Sequence, residues 1–271
     1  MDGQVRVTGE GGSLRVVDCR GGGEVQLEGS PFVLMQSKGE FSVRTDSAVE
    51  FNLHDGPLSI FSYGAPVQGA QVTGPLIVEN NNSTVHLEQI SGTTEIRGGD
   101  LEVQVKNGTG PVTVHTVSST ISINAAKNPV VVDNDYGDVR LGGIEASAKI
   151  NSRGGNVQVT DHQGPLELRA DGPEVRVDWV KFQSQDAIMV HNETGDIHLA
   201  LPASGRCRLQ LKAAFGRIDS ELEGVRIADD GHSAGGEFTG GRAKAPQVKK
   251  PLIKATSGGG NIYITASTAK D

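Results

Sequence analysis

The stretch Gly155–Trp179 reads "GNVQVTDHQGPLELRADGPEVRVDW". Its apolar pairs Val157/Val159, Leu166/Leu168 and Val175/Val177 each begin nine residues after the last. Apolar residues at i and i+2 put both side chains on one face of a strand. The i, i+3, i+4 spacing of a helix is absent, and β-branched residues dominate. Each nine-residue unit is therefore a short strand followed by a turn.

Working outward, the same count starts at Leu58/Ile60 and continues through Leu76/Val78, Val85/Leu87, Val103/Val105, Val112/Val114, Ile121/Ile123, Val130/Val132 and Val139/Leu141. Only Val67/Gly69, Thr94/Ile96 and Ala148/Ile150 are imperfect. A second signal doubles the period, because Pro57, Pro75, Pro111, Pro129 and Pro165 share a column spaced by 18. Proline suits the first residue of a strand, where its missing N–H does least harm. Two unlike nine-residue halves thus make one 18-residue coil, and internal repeats of this length indicate a solenoid.

The expected fold class is all-β: a single-stranded β-solenoid whose strands stack on their equivalents one coil later, about 4.8 Å apart. Dividing the 271 residues by the period gives about fifteen coils and a rod of roughly 70 Å on that spacing. Three sixes per coil, as in hexapeptide helices, fail because Gly64 and Asn82 fall where apolar residues belong. The rhythm breaks at residues 28–57, where Phe32, Met35, Phe41 and Phe51 follow irregular steps. It breaks again at 178–187, where four residues are added around Trp179 and Phe182. After Pro202 the spacing loosens, and Ala228–Val248 reads as a Gly-rich loop before a last strand at Ile262/Ile264. We expect one solenoid domain over 1–271, with 203–271 as looser coils and a cap.

Composition narrows the function classes. A net charge of −8 and 4 % aromatic residues disfavour nucleic acid, which rewards clustered Lys and Arg. No apolar run approaches the roughly 20 residues that span a bilayer, and the opening "MDGQVRVTGEGG" shows no export signal.

Several motifs offer chemistry. Asp133–Asp138, "DNDYGD", begins like a calcium loop but lacks its downstream Glu, and reads as a solvated turn. The seven histidines do not cluster; His54 and His162 share a column six coils apart, and all are expected at the surface. Trp179 and Phe182 are expected to fold back against the solenoid. Arg242, Lys244, Lys249, Lys250 and Lys254 form a basic stretch, expected to be a solvated loop. Cys19 and Cys207, 188 residues apart, are not expected to bond. Arg140, Gln158 and Arg176 share an outward face, with no acid pair beside them in the pattern. We assign no catalytic, cofactor-binding or metal-binding residues.

The phrases "NETGDIHLALP" (Asn192–Pro202), "AAFGRIDSEL" (Ala213–Leu222), "NSRGGNVQV" (Asn151–Val159) and "TSGGGNIYI" (Thr256–Ile264) resemble a bacterial β-strand-repeat family provisionally named for adhesins. The resemblance is specific over residues 130–271 and looser before. It implies a right-handed single-stranded β-helix, a domain of unknown function, and a place in the cell envelope or outside the cell.

The expected function is a non-catalytic envelope scaffold or adhesion-type interaction module. Its expected partner is an unknown protein or glycan, and its state a monomer or weak end-to-end oligomer. The alternatives are a carbohydrate-active lyase or hydrolase and an end-to-end polymerising scaffold.

Overall fold

A computed structural model describes residues 3–179, 181–182, 187–202, 206–239 and 250–267, the side chains of 237–239 excepted. The described residues are all strand, turn and loop, with no helix among them. They divide into two compact units, Met1–Pro129 and Val130–Asp271.

In the first unit each coil contributes one strand to each of two parallel sheets. One sheet stacks Val5–Glu10, Gly23–Glu28, Phe41–Thr45, Leu58–Ser62, Leu76–Asn81, Thr94–Gly99 and Val112–Val117 in sequence order. The facing sheet stacks Leu14–Val17, Phe32–Lys38, Val49–Asp55, Val67–Val72, Thr84–Ile90, Glu102–Lys106 and Thr120–Asn124. The register step is 18, as in Leu58↔Leu76↔Thr94↔Val112. The irregularity at 28–57 is one coil that is a residue short. Phe32 pairs with Val49 and Phe41 with Leu58, steps of 17, and Phe32, Phe41 and Phe51 all point inward and are buried.

The proline column works as its position suggests. Pro57, Pro75, Pro111 and Pro129 lack N–H groups, but their carbonyls accept bonds from Phe41, Leu58, Thr94 and Val112 one coil earlier at 2.8–3.0 Å. The apolar pairs form the core: Leu58, Ile60, Leu76, Val78, Val85, Val103, Val112 and Ile121 are at most 1 % exposed. Burying such a side chain contributes about 1.5–3 kcal/mol.

Left-handed residues recurring every 18 positions make corners within the strands or just after them. Leu53, Gln71, Gln89, Asn107 and Ala125 make one column, at φ near 55°. Asn82, Asp100 and Ser118 make the other, also with positive φ. Each such residue resets the alternation of strand faces. Leu53, where strict alternation expects an inward side chain, is 47 % exposed, and the next residue, His54, is buried instead.

The second unit begins the same way, with Val130–Asp135, Ala148–Arg153, Leu166–Asp171 and Ala187–Asn192 in one sheet. The facing sheet holds Val139–Gly142, Val157–His162, Glu174–Trp179 and Asp196–Leu201. The step grows from 18 to 22 at Leu166↔Ile188 and Val175↔Ile197, the four added residues expected at 178–187.

Beyond this point stacking departs from chain order. The strands Leu252–Ser257 and Ile262–Ala266 lie between the 187–201 coil and the earlier strands Arg206–Ala213 and Ile218–Ser220. The last strands of the chain are interior, not terminal. The stretch expected as a loop after Ala228 contains the strand Ser233–Thr239, antiparallel to Arg206–Ala213 and to Val225–Ile227. Residues 240–248 of that stretch lie outside the described residues. The described strands make seven coils in the first unit and six in the second, fewer than fifteen, because the insertion and the antiparallel segment consume chain without adding rungs.

Candidate functional site

The outward row predicted from Arg140, Gln158 and Arg176 exists and is longer. Register places Arg140 beside Gln158, Gln158 beside Arg176, Arg176 beside His198, and His198 beside Tyr263. The His198 and Tyr263 rings stack with centroids 4.7 Å apart and 14° between planes, close to the strand spacing. Asn261 Nδ2 donates to the Tyr263 hydroxyl at 3.1 Å. Arg176 pairs with Glu174 at 3.0 Å, and His198 Nε2 lies 3.8 Å from the same carboxylate. Tyr263 joins this row only because the last strand is inserted beside Asp196–Leu201, so local sequence reading missed it.

Next to this row the sheet is indented. Ala200 lies in register between Asp178 and Thr265, and its short side chain leaves a groove of about 670 Å³. Arg176, His198 and Tyr263 line it together with Asp161, Asp178 and Thr265. Asp161 reaches the groove through a bulge. After Val159↔Val177 the register shifts, and pairing resumes only at His162↔Trp179. Two residues, Thr160 and Asp161, therefore oppose Asp178, and Asp161 takes the left-handed conformation at φ 52°. Bulges re-aim side chains in this way.

Two carboxylates thus stand on the face where none was expected to join Arg176. Burial pushes the Asp178 carboxyl above its usual range; Arg176 opposes this and the charge of Asp161 adds to it. A polar groove with two carboxyl groups, one guanidinium, hydroxyls and a ring pair can hydrogen-bond a polar ligand through both donors and acceptors.

Other sequence candidates are used differently. In the "DNDYGD" turn, Asp133 accepts from Asn151 at 2.5 Å, Asp135 pairs with Arg153 at 2.8 Å, and Asp138 pairs with Arg140 at 2.6 Å. The three carboxylates are engaged by three different partners rather than converging.

His54 and His162 are not at the surface; they are 1 % and 0 % exposed, directly after the left-handed Leu53 and Asp161. The missed signal is the column they share with Val72, Ile90 and Ile144, which are inward too. The His54 ring lies among the carbonyls of Ser37, Gly39 and Pro57 and edge-on to Phe41 at 5.7 Å, with neither nitrogen in hydrogen-bond geometry. The His162 Nε2 faces the carbonyls of Gly164 and Pro165 at 3.1 and 3.3 Å. Burial holds both imidazoles below the usual histidine range.

Trp179 folds inward as expected, fully buried, with its ring 6.0 Å from Phe182. Of the basic stretch, Lys254 points outward from the inserted strand, while Arg242, Lys244 and Lys249 lie outside the described residues. Cys19 and Cys207 are free and buried, and burial pushes the Cys207 thiol up to about 12. No helix long and apolar enough to cross a membrane occurs among the described residues.

The profile of the family described as Toastrack DUF4097 matches residues 93–265. No curated protein and no solved structure matches the chain.

Proposed function

Since the chain belongs to the Toastrack DUF4097 family, a β-solenoid domain of unknown function, we propose that it is a non-catalytic scaffold. It presents strand ladders to a protein or glycan of the cell envelope, as an adhesion-type interaction module would. The observation that carries this reading is the in-register row Arg140–Gln158–Arg176–His198–Tyr263 beside a polar groove. Parallel rungs hold those side chains at a fixed spacing, so a partner meets a pre-ordered surface and little entropy is lost on binding.

Capture from envelope fractions tests it. Substitutions of Gln158, Arg176, His198 and Tyr263 to Ala are expected to weaken one specific captured partner step by step, with no sugar fragments released from a polysaccharide panel. A partner that ignores all four changes overturns the reading.

The Asp161–Asp178 pair favours one second reading, a carbohydrate-active site. A carboxyl whose pKa burial raises, beside a second carboxylate, is an arrangement glycoside hydrolysis uses. Release of sugar fragments that Asp178→Asn abolishes would select it.

A further inference from the structure

A second depression lies in the first unit, and a glycine and an alanine make it. The second inward position of its sheet is held by Leu34, Phe51, Leu87, Val105 and Ile123, all buried, and on one rung by Gly69. A Cβ on Gly69 would come within 1.9 Å of the Phe51 ring, so that ring already occupies the space. The next, outward residue is Ala70, in register between Asn52 and Glu88. The short side chain between two longer ones opens a groove of about 340 Å³, lined by Glu50, Asn52, Gln68, His86, Glu88 and Lys106 among others.

Two atoms of the lining residues are conspicuous by their bonding. Asn52 Oδ1 and His86 Nε2 are buried and make no hydrogen bond within the protein. Leaving a buried polar atom unpaired is costly, and here two such atoms belong to residues on different strands that line one groove. By contrast the Gln104 amide, on the same wall, donates to Glu102 at 2.8 Å.

The lining selects a ligand class. Two carboxylates against one ammonium disfavour an anion. Among the described residues no three His, Cys, Asp or Glu side chains are placed to hold a metal ion. An apolar ligand would leave the amides, imidazole and carboxylates without partners, at the same cost as before. Hydroxyl groups both donate and accept, so a polyhydroxylated ring satisfies carboxylates, amides, imidazole and ammonium together.

We infer that the Gly69–Ala70 groove binds a neutral saccharide, one or two pyranose units of a longer glycan. Asn52 and Glu88 accept hydroxyl protons from one row, while His86 and Gln68 contact the ring from the other. This rests on reading the chain as an interaction scaffold and names the ligand class of one of its surfaces.

Calorimetric titration of the whole chain tests it, with maltohexaose, cellohexaose and mannohexaose as probes. Hexagalacturonate serves as the anionic control and hexalysine as the peptide control. At least one neutral hexasaccharide is expected to bind at least tenfold tighter than either control. Ala70→Trp, which fills the groove from an outward position, is expected to weaken that binding at least tenfold, and Asn52→Ala to weaken it severalfold. Thr113→Trp, outward on the opposite sheet, should leave it unchanged, with circular dichroism reporting a native fold in every variant.

Failure of all three neutral probes to bind, undiminished binding by folded Ala70→Trp, or preference for hexalysine each overturns the inference. If envelope capture still responds to the Gln158–Tyr263 substitutions, only the saccharide assignment falls. If capture is indifferent as well, both readings fall.

Discussion

Gly260 stacks on Gly195, a residue 65 positions earlier: a Cβ on Gly260 would lie 2.2 Å from the Gly195 carbonyl carbon. Gly216 stacks in turn on Gly260, where its Cβ would meet the carbonyl oxygen at 2.1 Å. Backbones therefore meet at this corner on three successive rungs, in the order 195, 260, 216. Gly260→Ala is expected to force the rungs apart and destabilise the chain by about 1–3 kcal/mol or more. Gly235→Ala, whose Cβ has its nearest neighbour at 3.5 Å, should change the melting temperature little. Thermal denaturation of the two variants checks the pair, and equal melting temperatures would contradict the stacking.

The inserted rung makes the C-terminal segment a structural keystone of the second unit. Ending the chain at residue 249 removes Leu252–Ser257 and Ile262–Ala266 and leaves strands on both sides of the gap unpaired. Ending it after Pro202 instead bares the edges of Ala187–Asn192 and Asp196–Leu201. Open strand edges template pairing with other chains, so both truncations are expected to self-associate in light scattering. The 249 truncation should in addition be cleaved by protease within 206–239.

Inward and outward positions should differ sharply even when adjacent. Val139 is fully buried and Arg140 exposed. Val139→Asp places an unpaired charge in the core and is expected to cost about 3–5 kcal/mol, whereas Arg140→Asp should cost under about 1 kcal/mol. Urea denaturation of both gives the comparison.

The left-handed corners predict a reversal of ordinary helix and strand preferences. Gln89 sits at φ 55° with its side chain exposed. Gln89→Gly, free of the Cβ clash at that φ, is expected to be neutral or slightly stabilising despite its greater chain entropy. Gln89→Val should lose about 1–2 kcal/mol. A destabilising glycine and a neutral valine in chemical denaturation would contradict the corner.

Two buried imidazoles give the stability a pH dependence. Burial lowers the folded-state values of His54 and His162 below the ordinary 6.5, so at mildly acidic pH the unfolded chain binds more protons. By linkage their stabilisation is complete above about 6.5 and is lost as pH falls through that value toward the folded ones. The melting temperature is expected to drop from pH 7 to pH 5, and less steeply in His54→Phe. Asp178 has the opposite sign: its raised value favours the folded state as the carboxyl takes up a proton, so Asp178→Asn should raise the neutral-pH melting temperature.

The sequence by itself determined the repeat, because a parallel strand ladder demands the same local pattern on every rung. The pairs from Leu58/Ile60 to Val175/Val177, the proline column and the added residues before Ile188 are local signals, and each has the expected place. Tertiary structure decided what depends on long-range docking or on resetting the strand alternation. No local pattern tells that Ile262 and Ile264 lodge between Ile197 and Ile218, since the glycines that permit it are defined by backbones 44 and 65 positions away. Nor does alternation reveal His54, His162 or Asp161. A left-handed residue before each histidine turns it inward, and the same bend at Asp161 carries a carboxylate outward to Asp178. The groove therefore comes from where rungs meet, and that is set by packing between coils rather than by the order of residues within one.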